Sequence, residues 1–205
     1  MTHLGDETLP SDLTGRFQAC GIAVIEHALS EADLTTMDAA FPVLPPKSAG
    51  ARAAAFSPDA LHWLRHHEGL SELASQFGGA CTGLARVLAF DKSAATNWFV
   101  PWHQDRAEDG IERPAALLAR MVALRIHLDD CGEDDGPLDV IARSHTLGRL
   151  DSAALAAVVA KVPPLTCLAA RGDIVAMRPL IVHRSQRARR PSARRVLHLE
   201  YGVIR

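Results

Sequence analysis

Apolar positions in the first eighty residues recur mostly at helical spacing. Leu34, Met37 and Phe41 fall three and four apart, the repeat that puts side chains on one helix face. Just upstream, Ser30-Glu-Ala-Asp33 offers an N-cap hydroxyl with an acidic residue three positions on, a pairing that satisfies two orphan amides. Pro42, Pro45 and Pro46 are expected to stop this helix. Leu70, Leu73, Ala74 and Phe77 repeat the pattern and run into Gly78-Gly79, a helix terminator. Ser11 to Cys20 predicts a short helix, and Gly21-Ile-Ala-Val-Ile25 a strand.

From residue 81 onward the period shortens. Short β-type runs alternate with turn residues at Gly83–Asp91, Trp98–Gln104, Met121–Asp129, Leu138–Ala142, Leu165–Leu168, Asp173–Met177, Leu180–Ser185 and Arg194–Val203. Leu117, Leu118, Met121 and Val122 also suit a helix, so the start of the third run stays open. One helix interrupts the series, with Leu155, Val158, Val159 and Val162 on a face and Pro163-Pro164 closing it. This is a mainly β (α+β) pattern. Some eight short strands with turns between them favour a sandwich or barrel over a βαβ sheet. No repeat or linker divides the chain, so 1–205 is read as one domain: a helical part over 1–80 and a barrel core over 81–205.

Composition narrows the class. At 205 residues, 48% apolar and 22% charged, the chain is long enough for a sizeable core. Its net charge of −2 gives no global reason to expect nucleic acid or a membrane surface. Seven arginines between Arg178 and Arg195 could attract an anionic substrate or RNA, but the favoured reading is a solvated loop balanced by the acidic turn Asp129–Asp135. The longest uncharged stretch, Leu73 to Ala85, includes Ser, Gln and three Gly, far from the roughly 20 apolar residues of a spanning helix. Met1 to Glu7 has neither a basic nor an apolar leader segment, so no secretory signal is expected. Cys20, Cys81, Cys131 and Cys167 form no CxxC pair and read as free thiols in the cytoplasm.

The chemistry must come from histidine and carboxylate, because the nucleophile-elbow, zincin, dinucleotide and P-loop signatures are all absent. A 2-His-1-carboxylate facial triad leaves metal positions open for co-substrate and oxygen, and His-x-Asp on a strand puts both groups on one side. The pair alone is weak evidence, since roughly 0.7 are expected by chance at this composition. Two occur, His103-Gln-Asp105 and His127-Leu-Asp129, beside His66-His-Glu68 and His198-Leu-Glu200. His103-Gln-Asp105 has the better context, following Asn97-Trp-Phe-Val-Pro-Trp102. Downstream, His183 ends an apolar run, Ser185 lies two residues on, and Arg194 stands eleven beyond His183. An arginine there suits bidentate capture of a dicarboxylate's far end, with the Ser185 hydroxyl as a second donor. Arg194 and Arg195 are separated only by strand parity. Arg125, between Leu124 and Ile126, faces either the interior or solvent. Asn97, Trp98 and Lys92 either line the pocket entrance or, the favoured reading for each, pack in the core or on the surface, and Ser144-His145 is read as a structural turn.

These segments resemble the phytanoyl-CoA dioxygenase-like branch of the Fe(II)/2-oxoglutarate oxygenases. The matching pieces are Trp102-His-Gln-Asp105, Leu124-Arg-Ile-His-Leu-Asp-Asp130, Gly136-Pro-Leu138, Ser144-His145, Gly172-Asp173, His183-Arg-Ser185 and Arg194-Arg-Val-Leu-His-Leu-Glu-Tyr201. The resemblance implies a double-stranded β-helix, a jelly-roll barrel of the cupin-like kind, with N-terminal and flanking helices. It also implies Fe(II) on His103, Asp105 and His183, with 2-oxoglutarate held by Arg194 and Ser185 and approached by Arg125. The implied activity is O₂-dependent hydroxylation of a small molecule with release of succinate and CO₂. Asp105 favours that outcome over halogenation, which would replace the carboxylate. Where the family usually has Pro-Gly-Ser-His, this chain has Ala142-Arg-Ser-His145. The rival readings are a non-catalytic jelly roll that binds a small ligand or 2-oxoglutarate, and a cupin-like metal isomerase. The segment after Asp105 is short, which implies a reduced cover and leaves a homo-oligomer open as its completion.

Overall fold

The computed structural model describes residues 12–44, 48, 50–78, 83–93, 96–105, 107–108, 111–190 and 193–202. Met1 to Glu7, Ser11, the stops at Pro45, Pro46 and Gly79, Cys81, parts of the Arg106–Gly110 turn and Val203 lie outside the described residues.

Two antiparallel sheets organise these residues in the expected jelly-roll arrangement. The larger sheet takes β1 (Ile22–Ile25), β2 (Gly50–Arg52), β3 (Gly83–Lys92), β7 (Val122–His127), β10 (Ile174–Met177) and β12 (Arg194–Gly202), in the order β1-β10-β7-β12-β3-β2. The smaller sheet orders β4 (Val100–His103), β8 (Leu138–Ile141), β9 (Leu165–Cys167) and β11 (Val182–Ser185) as β4-β11-β8-β9. Among the described residues no strand pairing joins the two sheets, so they face each other as an open sandwich. Two strands come from the first eighty residues: β1 and β2 form the two edges of the larger sheet. A hairpin of β5 (Ala107–Glu108) and β6 (Ile111–Glu112), then a one-turn helix α5 (Ala115–Leu118), follow Asp105. That helix and the strand starting at Val122 divide the ambiguous Leu117–Val122 segment between them.

Side-chain alternation separates the two faces of the larger sheet. Leu197, Leu199 and Tyr201 of β12, Leu124 and Ile126 of β7, and Ile174 and Ala176 of β10 pack against the helices. Those helices are α1 (Leu13–Cys20), α2 (Glu31–Ala40), α3 (Pro58–His66) and α4 (Glu68–Gly78), which bury Phe17, Leu34, Met37, Leu64, Leu70 and Phe77. The opposite face contributes Ile22, Ala123, Val175 and Met177 to a second cluster with Leu138, Val140 and Cys167 of the smaller sheet. This cluster fills one end of the space between the sheets. The other end stays polar and open.

Local signals set the boundaries. The Ser30 hydroxyl accepts from Asp33 N–H (3.1 Å), and the Asp33 carboxylate accepts from Ser30 N–H (3.3 Å), which is the expected capping box of α2. Helix α6 (Ser152–Lys161) begins at Asp151, whose carboxylate accepts from Ala154 N–H (2.8 Å). Gly21 ends α1 in the left-handed region (φ 78°). A Cβ on Gly21 would lie 2.3 Å from His145 Nδ1, so this position is confined to glycine by backbone and by space. The Ser144 hydroxyl accepts from Val182 N–H (2.8 Å), pinning the start of β11. Ser144-His145 is thus a structural turn.

Gly21→Ala should destabilise the protein by about 2–3 kcal/mol through positive φ and the His145 clash, whereas Ser30→Ala should cost about 1 kcal/mol. Urea unfolding midpoints of the two variants check this ranking.

Candidate metal centre

Strands β4 and β11 pair antiparallel with His103 opposite His183. Directly opposed residues point to the same face, and the two imidazoles meet with ring centroids 4.1 Å apart. Asp105 follows just beyond the end of β4, its N–H donating to the Pro179 carbonyl (2.9 Å). Its carboxylate lies 3.6 Å from His103 Nε2 and 3.7 Å from His183 Nε2. One ligand atom from each of the three falls within 4.8 Å of the others. Among the described residues this is the sole such group of three.

The second nitrogen of each ring is committed elsewhere. His103 Nδ1 faces the Pro101 carbonyl and His183 Nδ1 the Ile181 carbonyl, both at 2.9 Å. Each carbonyl requires a proton on Nδ1, which leaves the Nε2 lone pair directed at the centre, as a metal ligand needs. Burial pushes His183 down to about 4 against the pull of Asp105, so this imidazole is neutral at pH 7. Burial opposes charge on His103 too, yet the Asp105 carboxylate raises it above the usual range. Burial likewise opposes charge on Asp105, but the two imidazoles hold its carboxyl well below the usual carboxylate range. Two neutral-capable imidazoles and one ionised carboxylate are the donor set of a facial triad.

The residue between the ligands locks the turn. Gln104 is buried, its amide donating to the carbonyls of Leu180 (2.7 Å) and Gly148 (2.8 Å), while its oxygen accepts from Leu150 N–H (2.9 Å). The rival pair does not converge. Asp129 is taken up by Arg195, with Nε to Oδ2 at 2.9 Å and Nη2 to Oδ1 at 2.8 Å, while burial and Arg125 push His127 down to about 3.

The triad opens on a pocket of about 360 Å³ between the sheets. On the expected residues, parity resolves as follows. Arg194 faces the interior with Val196, His198 and Glu200, whereas Arg195 turns out toward Asp129 and Asp38. Arg125 lines the pocket, its Nη1 donating to His198 Nδ1 (3.2 Å). Ser185 lines the pocket too, and Arg194 lies one layer behind.

Beside Arg194 sits Lys92, which the sequence left between lining at the entrance and packing. Lys92 pairs with Arg194 in the β3–β12 ladder and is fully buried. Its ammonium donates to the Ser185 hydroxyl (3.0 Å), to the Gly136 carbonyl (3.3 Å) and to the Gln186 carbonyl. Arg194 Nη1 donates to the same Gly136 carbonyl at 2.6 Å, while its Nε and Nη2 are buried without partners. Trp98 covers both cations, its ring 4.5 Å from the ammonium and 5.8 Å from the guanidinium. Among the described residues neither cation is paired with a carboxylate. Burial and the Arg194 charge push Lys92 down to about 7. The β3 alternation Arg86, Leu88, Phe90, Lys92 was the signal that would have turned this lysine inward.

The sequence profile described as phytanoyl-CoA dioxygenase (PhyH) matches residues 33–196. No curated protein matches the sequence. Among solved structures, AviO1 from Streptomyces viridochromogenes Tue57 is 24% identical over 97% of each chain, with a TM-score of 0.72. SnoK, a non-heme alpha ketoglutarate dependent carbocyclase from nogalamycin biosynthesis, is 19% identical over 97% of this chain and 87% of its own, with a TM-score of 0.77. EctD from S. alaskensis, solved with 2-oxoglutarate and 5-hydroxyectoine, is 19% identical over 95% of this chain and 76% of its own, with a TM-score of 0.76. At these identities the likeness is one of fold.

A lysine whose folded-state value is depressed binds fewer protons in the folded than in the unfolded state between about pH 7 and 10.5. Its contribution therefore makes stability rise with pH across that window. The melting temperature of Lys92→Met minus that of the parent should fall as pH rises from 7 to 10; a pH-independent difference would contradict a depressed lysine.

Proposed function

The chain belongs to the phytanoyl-CoA dioxygenase family, and we propose that it is an Fe(II)- and 2-oxoglutarate-dependent oxygenase that hydroxylates a small molecule, releasing succinate and CO₂. The observation that carries this reading is the His103–Asp105–His183 donor set opening on one pocket with Ser185, behind which Arg194 and Lys92 are buried with no carboxylate partner among the described residues. His103 and His183 would supply Nε2, and Asp105 one carboxylate oxygen, to Fe(II). The buried Arg194 donors without partners, with Lys92 and Ser185 beside them, fit the distal carboxylate of 2-oxoglutarate. When bound, iron and 2-oxoglutarate supply the oxygen activation and the oxidising equivalents.

The protein's own part is geometric and electrostatic. The carbonyls of Pro101 and Ile181 fix the imidazole tautomers, and Gln104 fixes the turn that sets Asp105 between them. Arg125, oriented by His198, presents a second guanidinium to the interior near the triad, where it would steady an anionic co-substrate group or the substrate. The apolar wall of Leu88, Phe90, Val100 and Leu138 limits water around the reacting centre. No helix among the described residues is long and apolar enough to cross a membrane.

Purified protein given Fe(II), 2-oxoglutarate and O₂ should form succinate, with uncoupled turnover expected even without substrate. His103→Ala should abolish it by removing a metal ligand, and Arg194→Ala should raise the 2-oxoglutarate requirement by about tenfold or more. Undiminished turnover in both variants would overturn the reading. Tight 2-oxoglutarate binding without succinate would instead support the non-catalytic jelly roll.

A further inference from the structure

The β3–β12 ladder carries two charged ends. At one end Lys92 pairs with Arg194; six residues along, Arg86 pairs with Glu200. All four side chains alternate onto the interior face, so the two ends lie about 20 Å apart at the rise of an extended strand. Phe90 and Leu88 stand between them on β3, and the triad opens on the same pocket. The Lys92–Arg194 end is the one assigned above to 2-oxoglutarate. The Arg86 end therefore faces whatever else enters the pocket.

That end is built around a saturated carboxylate. Glu200 Oε1 accepts from Arg86 Nη1 (2.9 Å) and lies 3.5 Å from His198 Nε2, and Oε2 accepts from Arg113 Nη1 (3.0 Å). Glu200 is buried, and although burial opposes its charge, His198 and Arg86 hold it below the usual range. With both oxygens engaged it has little left to offer a ligand. Arg86 differs. Its Nη1 bond fixes the plane of the guanidinium, while Nε and Nη2 make no side-chain hydrogen bond among the described residues and the residue lines the pocket. A guanidinium clamped on one edge and free on the other is preorganised for a planar or tetrahedral anion. A second observation agrees. Arg125, at least nine-tenths buried in the same pocket, has its Nε without a partner. Beyond the metal ligand Asp105, the described lining sets the guanidiniums of Arg86 and Arg125 against the carboxylate of Glu200.

We propose that Arg86 is a substrate-recognition residue and that the substrate bears a carboxylate or phosphate that docks on it, opposite the 2-oxoglutarate end. The inference rests on the oxygenase reading. Leu88 and Phe90 then cover the apolar body of the substrate between its anionic group and the triad, an arrangement that presents a C–H bond remote from the anion to the metal.

The test uses protein loaded with Zn(II), which fills the triad without turnover, and saturated with 2-oxoglutarate so that the first anion site is occupied. Calorimetric titrations compare phenyl phosphate and benzoate with phenol and anilinium. One equivalent of the anions should bind at least about tenfold more tightly than phenol, and the tighter of the two distinguishes phosphate from carboxylate. Arg86→Gln should remove that preference, and Arg86→Lys, which keeps the charge but not the fork, should retain only part of it. Equal binding of phenol, preference for anilinium, or an undiminished preference in Arg86→Gln would overturn the proposal. So would anions that bind solely by displacing 2-oxoglutarate. Failure of 2-oxoglutarate to bind at all would count against the oxygenase reading, and the Arg86 dependence of phenyl phosphate binding would still decide this one. If Arg86→Gln does not fold, the anion-over-phenol preference of the parent and its change in Arg86→Lys decide the question.

Discussion

The pairing register of β4 with β11 is the constraint on which the centre depends. Side chains alternate with a period of two, so a slip of one residue would send His103 and His183 to opposite faces. The register is held by more than its own ladder. Ser144 fixes the first amide of β11, β8 pairs along the whole of that strand, and Gln104 ties the end of β4 to the carbonyls of Leu180 and Gly148. Asp105, outside the ladder, borrows its position from the Pro179 carbonyl. The three ligands therefore occupy two strand ends and a turn, with no contribution from the larger sheet.

The larger sheet supplies the rest of the interior and does so with charge. Arg125, His198, Glu200, Arg194, Lys92 and Arg86 all face inward from β7, β12 and β3, and five of the six are buried. Such groups are costly unless paired. Pairing is uneven: Glu200 gathers Arg86, Arg113 and His198, whereas Lys92 and Arg194 share backbone carbonyls and a tryptophan face. The helices α1 to α4 back this sheet with a continuous apolar layer. That layer lets one face of a sheet carry so many polar groups while the other supplies the burial that stabilises the fold.

Much of this was legible in the sequence. All eight strand runs from Gly83 onward and the Ile22–Ile25 strand form where periodicity placed them, and the Ser30–Asp33 cap forms as read. Strand β2 was not legible, because Gly50-Ala-Arg carries no β-type signal and exists by pairing with Leu88 to Phe90. Helix α3 was not picked out, although Ser57-Pro58 marks its start and Ala60 and Leu64 fall four apart on its buried face. At the site, His103, Asp105 and His183 could be picked out by spacing, because strand geometry alone relates them. The β3 alternation could place Lys92 and Arg86 on one face, but their partners Arg194 and Glu200 depend on which residues of β3 stand opposite which of β12, a register that no local pattern announces. Arg194 and Arg195 show the same limit, since only the partner strands decide which of two adjacent arginines looks inward.

Gly136 links these observations. Its left-handed backbone (φ 67°) leaves no room for a side chain, as a Cβ would lie 2.5 Å from the Gln186 carbonyl and 2.8 Å from Lys92 Nζ. Its carbonyl oxygen has two lone pairs but faces three donors: Arg194 Nη1, Lys92 Nζ and, more distantly, the Ser185 hydroxyl at 3.4 Å. Donors outnumber acceptors at this spot. An anion bound here, as proposed above for 2-oxoglutarate, would be met by groups already competing for one oxygen. The Gly136 peptide, with the Gln186 carbonyl and the Ser185 hydroxyl, thus lets two cations stand side by side in the fold.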